Sequence, residues 1–363
     1  MPADLQALGK DGGSFRTAAV IGSLPSGLSV HRVLRGTSGA RQHDLSSMPA
    51  ACPAPSHFVG EASCHPHFAE FLQGATEVDK NGRSGTARFL VSVHMPGIPG
   101  SVAKFTLQLD RAEITVTPST YTKSARAARL TLDRLGFESA GGRLEVKTFV
   151  PEGAGQGSST TGCVASARAS AAAVSKAIET EITLSPYLQA EIAVAAEQAC
   201  DSVMFDCTGT TLLFEHRTGL VRKTLGGPLP RMLILGFDTS AGGGVDTDEF
   251  PRARYSSAQI ADFGVAIATL ERAIQEQSVD LVGRVATFSA MVNQSNLPKP
   301  NFDATINIKD VVGSAGIVVA HSGTVAGLIF DPALPDLSER VADAQSRIVG
   351  LGFGRIQSFT TPF

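Results

Sequence analysis

The period of the apolar positions changes several times along this chain, and the changes outline its elements. From Met1 to about Ser56 there is little periodicity, and Gly, Ser, Pro, Ala and Arg dominate. Such a segment buries too little apolar surface to offset its ordering entropy, so residues 1–56 are expected to form a flexible N-terminal extension, with one short ordered piece near Thr17 to Leu24. From His57 the pattern tightens. Ala87 to Val93 and Ala103 to Leu109 are short β-type runs that read as strands, with a third at Ala112 to Thr117. Asn81-Gly82 and the segment from Pro96 to Pro99 punctuate them. Between Ser119 and Leu135 the period becomes helical, with Ala125, Ala128, Leu130, Leu132 and Leu135 mainly on one face.

A strand over Gly142 to Phe149 leads into an alanine-rich helix ending near Ile178. A helix over Pro186 to Gln198 follows, with proline in its first turn. Thr210 to Phe214 and Gly219 to Thr224 read as a hairpin. Gly226-Gly-Pro-Leu-Pro230 has linker composition, so the chain is divided into residues 57–226 and 227–363. The second part opens with a buried strand, Arg231 to Phe237. It continues with helices at Ser257 to Glu276 and Val279 to Asn293, strands at Ile317 to Ala320 and Val325 to Phe330, a helix at Leu337 to Val349 and a strand at Arg355 to Thr360. Asp238 to Gly244 reads as a mobile loop near the site.

Composition narrows the class. With 363 residues and 43% apolar content the chain holds two domains or one large one. A net charge of -3 gives no reason to expect nucleic acid. No apolar run approaches a membrane span. Five cysteines, odd in number and widely spaced, fit a reducing compartment. A cytoplasmic protein is expected. Oligomeric state is not readable, and a homodimer stays open.

The chemistry concentrates between Pro151 and Ala173. Gly153, Gly155 and Gly157 are followed by Ser158, Ser159, Thr160 and Thr161, then by alanines. Strand, glycine loop, helix N-terminus is the arrangement that binds anions, most often phosphate. A capped buried helix with a flexible entry loop would leave the same trace. The loop is not a Walker A motif, because no lysine lies between Pro151 and Lys176, and it lacks dinucleotide spacing.

Pro151-x-Gly153-x-Gly155-x-Gly157-Ser-Ser-Thr160 resembles the second motif of the GHMP kinase superfamily, and within it the L-threonine kinases of cobalamin side-chain synthesis and propanediol utilisation. Three further stretches carry the likeness. Cys64, Glu70, Gln73 and Gly74 fall on positions of the opening motif, with His65 and Ala69 as departures. Glu197 and Asp201-Ser202 resemble a Glu-Pro-x-Asp-Ser stretch, one residue longer here and without the proline. Ala320-His-Ser-Gly-Thr324 matches the glycine-rich turn of the third motif. Ser289 to Lys299 adds Asn-Gln before Leu-Pro-Lys.

The resemblance implies an α+β two-domain GHMP kinase fold: a ribosomal protein S5 domain 2-like N-terminal domain and a ferredoxin-like C-terminal domain, with the site between them. It implies an ATP-dependent, Mg2+-assisted kinase that moves the γ-phosphoryl group to an alcohol, L-threonine foremost. Pro151, Gly153, Gly155, Gly157, Ser158, Ser159 and Thr160 would bind ATP phosphates. Ser159 and Glu197 would hold magnesium. Asp201, with Asp206 as fallback, would take the acceptor hydroxyl proton, and Lys123 would reach a phosphate. Cys64, Glu70, Gln73, His321, Ser322, Gly323 and Thr324 would face the substrate. A competing reading takes Cys64, His65, His67 and His57 as metal ligands, and a plainer one takes His65 and His67 as surface turn residues around Pro66. The family's carboxylate after Ser-Ser-Thr is Gly162 here, which leaves a different acceptor such as homoserine open. So does a nucleotide- or ligand-binding protein without turnover.

Overall fold

The computed structural model describes residues 28–31, 57–80, 83–95, 97–206, 208–240 and 253–362. Thr17 to Leu24, most of the first 56 residues and most of the Asp238 to Gly244 loop lie outside them. Leu28–His31 forms a short strand, β1. In the first part follow β2 (Phe58–Cys64), β3 (His67–Lys80), β4 (Arg83–His94), β5 (Ser101–Gln108), β6 (Ile114–Thr117), α1 (Thr122–Arg134), β7 (Gly141–Thr148), α2 (Ser158–Ala177), β8 (Glu181–Leu184), α3 (Pro186–Glu197), β9 (Thr211–Glu215) and β10 (Leu220–Gly226). In the second come β11 (Leu233–Asp238), α4 (Ser257–Glu276), α5 (Val279–Asn293), α6 (Phe302–Val311), β12 (Gly316–Val319), β13 (Val325–Phe330), α7 (Leu337–Gly350) and β14 (Gly354–Thr360).

The strands build a four-stranded sheet, β2-β5-β7-β6, an eight-stranded sheet, β10-β9-β4-β3-β12-β13-β11-β14, and the pair β1-β8. The division at residues 226/227 falls between β10 and β11, which are not neighbours. The large sheet draws strands from both sides of it, and the halves meet where Val319 pairs with Glu70. β1, which pairs antiparallel with β8 from Leu28↔Leu184 to His31↔Glu181, ties the described part of the N-terminal segment to the first half.

Small side chains decide how α2 packs. Its residues from Thr160 to Ala167 are all buried, the pattern of a helix enclosed on every side. Gly60 of β2 lies so close that an added Cβ would stand 2.1 Å from the Ala169 carbonyl oxygen. Leu107, Leu132 and Leu144 complete this core with α1 and the four-stranded sheet, each worth roughly 2–3 kcal/mol of burial. In the second half the period-2 pattern is two-sided. Val318 and Ile329 face α4 and α5 in one core, while Ile317, Val319 and Leu328 face α6 and α7 in another. That sandwiching explains the unbroken apolar runs of β12 and β13.

Candidate active site

α2 begins without a side-chain cap. Gly157 is its N-cap, in the left-handed conformation with φ 73, and makes no side-chain cap to the first-turn amides. α3 and α4, by contrast, are capped by Ser185 and Ser256. The unpaired amides at the head of a helix carry a partial positive charge. Here they open on a cavity of about 660 Å³. Gly153 and Gly155 also have positive φ, 69 and 86, as only glycine adopts freely.

The third-motif turn braces this loop. The N–H groups of Thr324 and Val325 both donate to the Ala154 carbonyl, at 2.9 and 3.0 Å. A Cβ on Gly323 would stand 2.3 Å from Ala154 backbone atoms, so the close approach itself requires glycine. The Lys299 ammonium, buried, donates to the Gly323 carbonyl at 2.6 Å.

Two carboxylates converge on the helix mouth. The Thr160 hydroxyl donates to Glu197 Oε1 at 2.7 Å and accepts the Asp201 N–H at 3.2 Å. Burial pushes the Glu197 carboxyl up to about 8, against the hydrogen bonds from Ser159 and Thr160. Asp201 goes the other way. Burial would raise its pKa, but the charge and hydrogen bonding of His67 outweigh this and lower it. Neighbouring acids with opposite shifts are a mark of a working site.

His67 is the residue the sequence reading misplaced. It is no surface turn residue: it is 1% exposed, on β3 beneath the helix mouth, with its ring against Gly157. Nε2 lies 3.1 Å from Asp201 Oδ2, and Nδ1 lies 3.1 Å from the Ala69 carbonyl and 3.7 Å from Glu70 Oε1. Burial alone would favour the neutral ring, yet the Asp201 and Glu70 charges raise its pKa to about 9. Glu70 is only three residues away, but the partner at Nε2, Asp201, is distant in sequence, and that pairing leaves no local signature. His65 does stay half-exposed, and pairs with Asp206 at 2.9 Å.

Gln73, Lys123, Gly153, Gly155, Gly157, Ser158, Ser159, Thr160, Glu197, Asp201, His321 and Ser322 all line the large cavity. Asp206 lines a separate small cavity with His94 and Phe205. Cys64 is 1% exposed in the core beside Ala103 and does not reach the large cavity, because its position ends β2 with the side chain inward. Pro151, Gly323 and Thr324 shape the loop and turn without lining the cavity. Glu70 lies beneath the wall, 3% exposed, accepting the His321 N–H at 3.0 Å. The described residues place His67, Glu70 and Asp201 together as a cluster of ligand-type groups, not the set Cys64, His65, His67 and His57.

Residues 121–209, from the start of α1 past the end of α3, match the family model for the GHMP kinases N terminal domain. Over that stretch the chain is similar to the GHMP kinases. An L-threonine kinase from Salmonella typhimurium is 29% identical over 196 residues, 54% of this chain and 62% of that protein, so the match spans less than two thirds of the relative. Among solved structures, homoserine kinase from Cytophaga hutchinsonii superposes with a TM-score of 0.56 at 14% identity, covering 86% of this chain and 97% of that one. A complex of MDDEF with MVAPP, AMPPCP and magnesium gives 0.56 at 12% identity, covering 84% and 99%. These structures share the fold of this chain.

Proposed function

We propose that this GHMP kinase relative transfers the γ-phosphoryl group of ATP to an alcohol hydroxyl, with L-threonine the leading acceptor. The observation that carries the reading is the uncapped mouth of α2, open to the large cavity with Glu197 and Asp201 held beside it through Thr160. Backbone amides of the glycine loop and of Ser158 to Thr160 fit a triphosphate, and the Lys123 charge stands nearby at the start of α1. A carboxyl and a hydroxyl, Glu197 and Ser159, suit a hard cation that takes oxygen ligands, and AMPPCP with magnesium in a solved relative of the fold agrees with that pairing. Magnesium bound there would neutralise charge on the transferring phosphate. Asp201, kept ionised by His67, orients the acceptor hydroxyl and accepts its proton. A weak base suffices, since phosphoryl transfer through a loose transition state demands little proton abstraction early on. The division into residues 57–226 and 227–363 places the phosphate loop in the first part and the bracing turn in the second.

One observation favours another hydroxylated acceptor, such as homoserine. Gly162 stands where the family carries a carboxylate, and a Cβ there would meet the Ser124 hydroxyl at 2.9 Å, so this chain lacks that charge. ADP release coupled to a dye, run over a panel of hydroxy amino acids and simple alcohols, tests the reading. Turnover on threonine alone supports the first acceptor, and turnover on a different compound the second. ATP binding with no turnover on any of them would leave a ligand-binding relative and defeat the proposal.

A further inference from the structure

β3 is distorted where it passes beneath the helix mouth. Between His67 and Glu70 three steps on β3 face two on β4, and between Glu70 and Leu72 two face one. Ala69, inside the first irregularity, has φ 60, a left-handed conformation that is costly for a residue with a Cβ. Such bulges re-aim a side chain and recur beside active sites. On a regular strand, residues three apart point to opposite sides of the sheet. Here the extra residue brings the Glu70 side chain round to His67, with Oε1 3.7 Å from Nδ1. The Ala69 N–H donates to the Gly155 carbonyl at 3.3 Å, so the bulge also leans on the phosphate loop.

The neighbours of each ring nitrogen assign its proton. His67 has Nδ1 3.1 Å from the Ala69 carbonyl and Nε2 3.1 Å from Asp201 Oδ2. An acceptor stands at each nitrogen, which suits an imidazolium and leaves no lone pair for a metal ion. On the far side of Glu70, His321 Nδ1 faces two acceptors, Glu70 Oε2 and the Val319 carbonyl, both at 3.2 Å. His321 Nε2 is 3.0 Å from the Ser289 hydroxyl, which itself accepts the Gln73 N–H. His321 is therefore the Nδ1–H tautomer, with Ser289 donating to Nε2. Glu70 takes the His321 N–H at 3.0 Å and its Nδ1–H from the second half of the chain, and faces the His67 ring in the first.

The other titratable groups packed around this pair leave the roles as they are. His94 sits opposite His67 on β4, and His216 lies near Asp201. Burial holds both down to about 4, so both are neutral near pH 7. Glu197, beside Asp201, is pushed up to about 8 by burial. Lys299 gives its ammonium to the Gly323 carbonyl and adds its charge on the Glu70 side. The cation against Asp201 is His67, and the acid across the ring from it is Glu70. Against burial, the charges of Asp201 and Glu70 hold the His67 pKa up at about 9.

We propose that Glu70 is a positioning residue for Asp201 that acts through His67. The β3 bulge aims Glu70 at the ring, His321 holds it there, and the imidazolium it maintains keeps Asp201 ionised and turned to the phosphate loop. Control of the His67 charge by Glu70 stands on the contacts themselves. Its service to phosphoryl transfer rests on the phosphotransferase reading.

NMR of the full chain labelled with 15N-histidine reads ring charge and tautomer directly, with the His67 signals assigned by their loss in His67→Gln. In the unaltered chain both His67 nitrogens are expected to carry protons near pH 7. Glu70→Gln keeps the size and removes the charge. It is expected to lower the His67 pKa by about one, a loss of about tenfold in proton affinity, and Glu70→Asp to restore at least half of that change. ADP release is measured alongside. In Glu70→Gln, kcat is expected to fall about tenfold near pH 9, with KM for ATP within about twofold. Because the active form has His67 protonated, the alkaline limb of the kcat profile moves to lower pH by the same amount as the His67 pKa. A neutral His67 near pH 7 in the unaltered chain overturns the proposal whether or not the variants fold. So does a folded Glu70→Gln variant in which the His67 pKa is unmoved. A moved His67 pKa with an unmoved kcat profile overturns the positioning role. No ADP release from the unaltered chain, with the His67 pKa moved in Glu70→Gln, removes the kinase reading and keeps the control of His67 by Glu70.

Discussion

Replacing His67 by Gln keeps a polar side chain of similar reach and removes the charge. The native imidazole is enclosed by Asp201 and Glu70, with the neutral His94 the next titratable group, itself held down to about 4 by burial. A pKa of about 9 in place of the ordinary 6.5 corresponds to about 3 kcal/mol of preferential binding of the proton by the native state. Because the native value is the higher one, this stabilisation is complete below the unfolded pKa of 6.5 and disappears as pH rises through about 9. His67→Gln should therefore cost about 3 kcal/mol more near pH 6 than near pH 10. Thermal unfolding of both proteins across that range, followed by circular dichroism, measures the difference; Glu197 and Lys299, both at about 8, titrate inside the range in both proteins, so only the comparison between the two isolates His67. A penalty independent of pH would mean that the native imidazole is neutral, and the ionic anchoring of Asp201 would fall with it.

Asp201→Asn should retain ATP binding and lose about 10²–10⁴-fold in turnover, the usual size of a general-base contribution; steady-state kinetics beside nucleotide titration would expose an unchanged kcat. Glu197, at about 8, is protonated in about nine molecules of ten at pH 7. Binding of Mg2+ with AMPPCP should then expel about 0.9 proton, read by calorimetry in two buffers of different ionisation enthalpy; release below about 0.2, or equal release from Glu197→Gln, contradicts it. Gly323→Ala should destabilise the fold by about 1–3 kcal/mol, because the new methyl must displace the Ala154 backbone, and nucleotide affinity should drop with it. An alanine variant that melts with the parent would show the turn and loop are not in contact.

What the sequence made legible was local. The helices at Ser257–Glu276 and Val279–Asn293 carry their own period and serine caps, and they begin and end where expected. The glycine loop and the Ser-Gly turn announce positive φ and close approach. The strand over His67–Lys80 was not legible, because His65-Pro66-His67 has turn composition and what makes it a strand is pairing with β4 across the sheet. β8 and α6 were missed for a related reason: each is short and held by neighbours, β8 by α2 and β1. Which of Asp201 and Asp206 faces the cavity depended on a tight turn after α3, whose hydrogen bonds run to Thr160 and to His65. No periodicity encodes such pairings between residues far apart in the chain.

Among the described residues, the large sheet crosses from one half of the chain to the other through a single paired position, Glu70 opposite Val319. Cut the polypeptide in the Gly226 to Pro230 stretch and each fragment would carry a bare strand flank, β3 on one and β12 on the other, of the sort that seeks a partner. Mixed together, the fragments have a natural place to zip, and reuniting them would restore His321 beside Glu70 in the same stroke. Fragment complementation and a finished pocket would then be one event.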